Sequence, residues 1–326
     1  MTGEAVDAAP VTVAVVSYNT CELLLRCLRS LEPEVSSGVA EVWVVDNGSS
    51  DGSAAAARAQ APWARVLTPG ANLGFGRAVN LVAAQTRGTW LIAANADVAL
   101  EPGALAALLA AGADRRVGCV APRLVLADGR TEHSVHSLPT IAFTLAFNLG
   151  VQRLSRRLAD RMLLAGLYDN ERPRAVPWAI GALLLLRRRA FDAVGGFDER
   201  QWMYAEDLDL GWRLRDAGWI TLYEPAARVR HASGAATAVL FGDRRVHRFM
   251  RATYAVLALR RGPARARTTA AINVFGAAAR VAWMAPSAIL ARSRRGPLRE
   301  TLVWLSAHRQ GLRATASLEH EEADRR

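Results

Sequence analysis

The chain has 326 residues, 51% of them apolar and 22% charged, with 25 Gly and 13 Pro, a balance that excludes a disordered or collagen-like chain and allows one large domain or two smaller ones. Three cysteines, Cys21, Cys27 and Cys119, form no CxxC pair, which argues against a disulfide scaffold or zinc cluster and for a reducing compartment. No lysine occurs, and the net charge of +11 lies at one end: residues 1–150 hold 10 Arg and 13 acids, residues 151–240 hold 14 and 11, and residues 241–326 hold 17 and 6.

Residues 1–10 lack the basic start and long apolar run of a signal peptide and are expected to be flexible. From Val11 the pattern is strand, turn, helix, repeated. Residues 11–17 form a continuous apolar run, followed by Leu23, Leu24, Cys27, Leu28 and Leu31 at helical spacing. Residues 41–46 (EVWVVD) predict a second buried strand, then comes the turn NGSSDGS and an alanine-rich helix to about Gln60. Residues 64–68 predict a short third strand, a helix follows NLGFG to about Gln85, and residues 89–95 (TWLIAAN) predict a fourth strand closing on Ala96-Asp97. Such alternation implies a mainly parallel sheet with helices on both faces. A helix from Pro102, strand residues at 117–126, a turn at Asp128-Gly129, a basic amphipathic helix at 153–164, extended chain at 173–177, a strand at 182–187 and a helix at 205–217 complete this part. Beyond Phe241 the pattern becomes arginine-rich helices broken at Gly262-Pro263 and Gly296-Pro297, with a polar tail over 319–326. The longest near-uncharged stretch, 268–291, is interrupted by Arg280 and Pro286 and falls short of a transmembrane helix.

In an open parallel sheet, ligands bind beyond the carboxyl ends of the strands. Three polar groups fall there: Ser17-Tyr18-Asn19, Asp46 and Asp97. Each alone is equally a turn residue or helix cap; together they suggest a site. Asp46 could accept from a ribose hydroxyl or base N–H, yet SYNTCELL after the first strand carries no GxGxxG, which disfavours a nicotinamide dehydrogenase. Asp97 on a tight turn could hold Mg²⁺ or Mn²⁺ against a diphosphate. Farther on, Glu206-Asp207 sits among Trp202, Tyr204 and Trp212. A carboxylate walled by aromatics is a candidate general base.

The series VVSYN, VVDNGSSDGS, NLGFGRAVN, NAD, WAIGALLL, GGFDE, YAEDLDL with Arg213, and HASG resembles family 2 glycosyltransferases of GT-A fold, over roughly residues 11–237. Within that family it is most similar to rhamnosyltransferases acting on polyprenyl-diphosphate-linked sugars. The resemblance implies a catalytic domain over 11–240, with a nucleotide-sugar half (11–130) and an acceptor half (131–240), followed by a basic helical region over 241–318. It implies that Ser17, Tyr18, Asn19, Asp46, Asn72, Gly74, Asn80 and Asn95 serve the nucleotide sugar. Asp97 matches the last acid of a DxD motif whose first acid is here Asn95, and His231 matches a histidine near metal and diphosphate. Asp207 matches the general base and Glu206 its neighbour, while Trp178, Gly181, Tyr204 and Arg213 fall to the acceptor. Where the family reads WxSGA this chain reads Trp178-Ala179-Ile180-Gly181-Ala182, without the serine hydroxyl.

The resemblance implies an inverting glycosyltransferase with a nucleotide-diphosphate sugar donor, dTDP-rhamnose for preference, a glycan or lipid-linked acceptor, and Mg²⁺ or Mn²⁺. A sugar-phosphate nucleotidyltransferase would need a glycine- and Arg/Lys-rich phosphate loop after the first strand, which SYNTCELL is not. A nucleic-acid-binding protein would account for the basic end but not for the acidic site. Residues 241–318 carry 15 Arg against Asp243 and Glu300, interleaved with Trp283 and Met284. Such helices either lie on an anionic membrane or expose a solvated basic face; a cytoplasmic protein peripheral on the inner face of the plasma membrane is expected, with no nucleic acid as partner.

Overall fold

A computed structural model describes residues 10–164, 171–232, 245–290, 293 and 295–315. Residues 1–9 of the start expected to be flexible over 1–10, the polar tail, the Ser-Gly of HASG and the boundary at 240/241 lie outside them.

Nine strands form one sheet in the order β3-β2-β1-β4-β10-β6-β11-β5, with β8 beside β11. β1 (Val11–Ser17) is rich in β-branched valine and buried on both faces, as a central parallel strand requires. It lies parallel to β2 (Ala40–Asp46) and β4 (Trp90–Asn95), and β2 to β3 (Arg65–Leu67). β10 (Leu183–Arg187) runs against both β4 and β6 (Val117–Val125), while β6 and β11 (Ile220–His231) are parallel. Six strands thus share one direction, as the βα alternation predicts. β5 (Val98–Leu100) and β8 (Arg174–Val176) are reversed against β11, and a separate two-stranded sheet joins β7 (Val135–His136) to β9 (Trp178–Ala179).

The period of two sends Val11, Val13 and Val15 to one face and Ala14 to the other. On the first face pack α1 (Cys21–Ser36), through Leu24, Cys27, Leu28 and Leu31, α2 (Ser53–Gln60) and α4 (Ala104–Ala111). On the second pack α3 (Phe75–Gln85), α7 (Arg188–Ala193) and α8 (Glu206–Asp216), with Phe75, Val79, Phe191, Phe197 and Leu210. The stretch expected as one amphipathic helix at 153–164 is a short 3₁₀ turn (Val151–Arg153) and then α6 (Arg156–Leu163), preceded by α5 (Ile141–Asn148). Ser155 opens α6 by accepting the Leu158 amide, so the cap sets its start.

The C-terminal helices are α9 (Arg245–Arg261), α10 (Pro263–Leu290) and α11 (Arg295–Gln310). The break at Gly262-Pro263 falls where the sequence puts it. The break expected at Gly296-Pro297 does not: both residues sit in the first turn of α11, where proline lacks no needed donor. These helices share a core with the sheet domain, in which Met250, Tyr254, Leu257, Ala266 and Ala307 meet Trp178, Leu208 and Trp212.

Polar contacts add to that junction. Asp209 of α8 is fully buried; its Oδ2 accepts from Arg213 at 2.7 Å and its Oδ1 from Arg260 of α9 at 2.6 Å. Removing one partner of a buried ion pair costs about 3–5 kcal/mol. Asp209→Ala should therefore lower unfolding stability by about that amount, read by denaturant titration, and a change within the error of the titration would mean that the two arginines find other partners.

Candidate active site

The parallel register gathers the polar strand ends. Ser17 is level with Asp46, and Val16 with Asn95, so three of the predicted residues stand side by side at the carboxyl edge of the sheet. The Ser17 hydroxyl lies 3.1 Å from that of Thr20, and half-buried Tyr18 follows it. Asn19, at φ 51°, accepts the Ser50 amide at 2.8 Å and donates its own amide to Ser49 Oγ at 2.9 Å, tying β1 to the NGSSDGS turn. Buried Asp46 accepts the Gly48 and Ser49 amides through Oδ1 at 3.0 and 2.7 Å, whereas its buried Oδ2 has no hydrogen-bond partner. Leaving such an acceptor unsatisfied costs about 1–3 kcal/mol, and a ligand hydroxyl or N–H would satisfy it.

The NLGFG loop closes the next side. Asn72 Oδ1 accepts the Gly74 amide at 2.9 Å, and the Trp202 indole donates to the Asn72 carbonyl at 3.2 Å. Gly74 has φ 78°, and a Cβ there would stand 2.0 Å from the Trp202 carbonyl oxygen, so only glycine fits. Asn80 spends its amide on the Phe197 backbone in both directions, at 2.9 and 3.0 Å, and on Glu199. It braces α3 against the GGFDE turn.

Asp97 and His231 meet across the β5–β11 ladder, where His231 pairs with Val98 and the Ala232 amide donates to the Asp97 carbonyl. His231 Nε2 is 3.4 Å from Asp97 Oδ1, an oxygen with no hydrogen-bond partner, and Nδ1 is 2.6 Å from Glu132 Oε2. Burial alone would lower the imidazole pKa, but the two carboxylates outweigh it and push it up to about 9. An unsatisfied carboxylate oxygen beside an imidazole held from behind by a second carboxylate fits a divalent cation, whose binding would displace the proton from His231 Nε2. Among the described residues no three His, Cys, Asp or Glu side chains form a closed cage, so the remaining ligands of such an ion would be phosphate oxygens and water, the usual Mg²⁺ arrangement. Half-buried Asn95 donates its amide to the Ala182 carbonyl.

The second carboxylate cluster opens α8. Tyr204 and Ala205 both have left-handed backbone, φ 66° and 62°, each costing roughly 1–2 kcal/mol in a residue with a side chain. Asp207 Oδ2 accepts the Gly181 amide at 2.8 Å and Oδ1 its neighbour Leu208's at 2.7 Å. Glu206 is buried and its Oε2 has no partner. Burial raises both carboxyls, and the Asp207 charge raises Glu206 further, up to about 8.

Of the other predicted residues, Trp178 is buried, donating to the Ser137 carbonyl and stacked on His136 at 4.7 Å. Arg213 donates to Asp209 and to the Val194 and Gly196 carbonyls, so it locks α8 to the Gly-Gly turn from within the protein. Tyr204 stands edge-on to Phe249, 6.1 Å away. Glu132, Asn47 and the Arg260 partner of Asp209 escape the sequence reading. Asn47, whose Nδ2 donates to the Gly74 carbonyl at 3.3 Å, lies inside the quoted VVDNGSSDGS. Glu132 carries no local signal, because its partner is 99 residues away.

Residues 12–195 match glycosyl transferase family 2, and residues 135–307 match glycosyl transferase family group 2. An N-acetylglucosaminyl-diphospho-decaprenol L-rhamnosyltransferase of Mycobacterium tuberculosis is 39% identical over 241 residues, covering 69% of this chain and 76% of that protein. Rhamnosyltransferase WbbL of Escherichia coli is 32% identical over 101 residues, 31% of this chain and 35% of its own. The fold is that of a Pyrobaculum calidifontis mannosyltransferase solved with GDP-Man and Mn²⁺, at TM-score 0.59 and 19% identity over 94% of this chain and 88% of the other, so the expected GT-A architecture is present.

Glu206 generates a pH prediction. Its folded pKa is raised above the ordinary 4.5 to about 8, so its contribution to stability is complete below 4.5 and is lost as pH rises through the folded value. Glu206→Gln keeps the neutral form throughout. It should raise Tm above the parent by several degrees at pH 9, with the gap shrinking toward pH 5; thermal melts showing the same gap at both would contradict the burial of a protonated Glu206.

Proposed function

This chain belongs to glycosyl transferase family 2, and on that premise we propose that it moves rhamnose from dTDP-rhamnose, with inversion, to a hydroxyl of a polyprenyl-diphosphate-linked glycan. It is a glycosyltransferase; membership sets aside the nucleotidyltransferase and nucleic-acid readings. The finer reading draws on the 39% identity to the mycobacterial protein, and the observation that carries its chemistry is the Glu206-Asp207 pair at the start of α8, in which Glu206 is buried and backbone amides hold both oxygens of Asp207 at 2.8 and 2.7 Å.

Residues 11–130 hold the donor. The free Oδ2 of Asp46 accepts from ribose or base, and Ser17, Tyr18, Asn19 and the Asn72-to-Gly74 loop line the nucleoside. Asp97 and His231 would hold Mg²⁺ or Mn²⁺, which when bound neutralises charge on a departing nucleoside diphosphate. Residues 131–240 hold the acceptor. Asp207, with each oxygen steadied by a backbone amide, takes the proton of the acceptor hydroxyl as that oxygen attacks the anomeric carbon. Neutral Glu206 donates a hydrogen bond that orients the acceptor. One displacement inverts the stereochemistry, and no covalent nucleophile is required.

Membrane association belongs to the same reading. No helix among the described residues is long and apolar enough to cross a membrane. α10 nonetheless exposes Phe275 (77%) and Trp283 (86%), and neighbouring Leu149 is 79% exposed, on a surface whose C-terminal helices are rich in arginine. Apolar side chains among cations suit an anionic bilayer interface, each basic residue adding about 1 kcal/mol.

Two measurements test the reading. With dTDP-rhamnose and a prenyl-diphosphate-linked N-acetylglucosamine, Asp207→Asn should lose about 10²–10⁴ in kcat with donor KM little changed; near-normal kcat would remove Asp207 from the base role, and absence of transfer by the parent would overturn the substrates. In vesicle sedimentation the full chain should pellet with anionic lipid, and less at high salt. Equal recovery with neutral and anionic vesicles would rule out the electrostatic membrane contact.

A further inference from the structure

A cavity of about 830 Å³ lies between the 200–204 loop and the C-terminal helices, within the roughly 300–1,000 Å³ range of small-molecule sites. Among the described residues five arginines and no acid line it: Arg200 from the loop, Arg248 and Arg251 one turn apart on α9, Arg309 at the end of α11, and Arg313 in the 3₁₀ turn (Gly311–Arg313) that follows. Arg200 is paired with Asp198. Arg309 and Arg313 are exposed and have no ion-pair partner among the described residues. Arg309 and Arg313 stand four residues apart at one wall of the cavity, and like charges so placed repel unless an anion is shared between them. Guanidinium groups at several angles match the many oxygens of a diphosphate better than a single carboxylate.

The cavity has an apolar side as well. Val274 and Leu312 line it, and Leu312 stays 41% exposed; Phe275, next to Val274, belongs to the exposed apolar surface of α10. The cavity also borders the reaction centre. Trp202 and Tyr204 are lining residues, the Trp202 indole is bonded to the donor loop at Asn72, and two residues past Tyr204 the chain reaches Glu206 and Asp207. One short loop therefore separates the arginine-lined cavity from the donor side.

We propose that this cavity binds the diphosphate of a prenyl-diphosphate-linked acceptor, the arginines holding its phosphates and the Val274–Leu312 side receiving the start of the prenyl chain. The assignment rests on the acceptor reading above and adds the site. The donor diphosphate belongs elsewhere, at Asp97 and His231 on the strand edge, so the two diphosphates occupy different places and bind together.

Calorimetric titration of the full chain with farnesyl diphosphate, farnesyl monophosphate, farnesol and inorganic diphosphate, each with and without saturating dTDP, tests this. Farnesyl diphosphate should bind at least about tenfold tighter than the other three, undiminished by dTDP, and Arg309→Gln/Arg313→Gln should lose about tenfold or more. Both positions are exposed, so melting curves should match the parent; should the pair fail to fold, Arg313→Gln alone carries the same expectation. Displacement by dTDP, equal affinity for farnesol, or unchanged binding by a folded variant would overturn the assignment, and inorganic diphosphate binding as tightly as the lipid would assign the cavity to the free anion instead. Failures separate: a chain that transfers sugar to a prenyl-diphosphate acceptor but binds farnesyl diphosphate no better than farnesol loses only the cavity, whereas one that binds it in the arginine-dependent way yet transfers to no such acceptor loses only the function above.

Discussion

Asp209 is a fully buried carboxylate, and its two arginine partners come from different parts of the molecule. Arg213 carries the contact back to the Gly195-Gly196 turn through the Val194 and Gly196 carbonyls, and Arg260 carries it forward into the C-terminal helices and on to Asp198. A charge with no access to water demands fixed partners. That demand sets the position of α8, whose first turn is Glu206-Asp207. The helix cannot slide or turn without leaving Asp209 or a guanidinium unpaired, so the candidate base inherits its placement from this ion pair. Arg261, over the Trp212 ring at 4.9 Å and paired with Asp216, secures the other end of the same helix.

The donor edge is fixed differently, by strand register. Parallel pairing with Ser17 opposite Asp46 and Val16 opposite Asn95 leaves no freedom in which polar residues emerge together. A one-residue slip would turn each valine row to the wrong face. The loops beyond are then held by side-chain amides: Asn19 to Ser50, Asn47 to Gly74, Asn72 to Gly74. None of these needs a ligand to be in place. What remains unsatisfied, Asp46 Oδ2 and Asp97 Oδ1, points to where a ligand would complete the bonding.

This division accounts for what could be read in advance. The βα alternation, the strand-end polar residues and the carboxylate pair among aromatics are local patterns, and local patterns survive in one dimension. Asn80 is visible in NLGFGRAVN, but its work as a brace depends on Phe197, 117 residues away. Glu132 behind His231 and Arg260 behind Asp209 are contacts of the same long-range kind, with no periodicity to announce them. The misplaced break at Gly296-Pro297 has the opposite cause: a strong local signal with two meanings, since proline ends one helix and is equally at home in the first turn of the next. The arginine excess of the C-terminal region was plain from composition. Its gathering of Arg309 and Arg313 against Arg200 was not, because it requires the helices to fold back onto the 200–204 loop.

That loop is where the two systems of constraint meet. Its Trp202 carbonyl leaves Gly74 no room for a side chain, and its Tyr204-Ala205 pair adopts two successive left-handed conformations before the helix begins. Strain of this kind persists only where the surroundings over-determine it. Here they do, with the donor loop on one side and α9, through Phe249, on the other. The result is a short, sterically fixed wall with an electronegative pair at its end and arginines along one face. A donor placed against Asn72 and an anionic acceptor placed against Arg309 and Arg313 would each press on the same wall from opposite sides. Both substrates would then be registered to Asp207 by a single element, without a closing domain to bring them together.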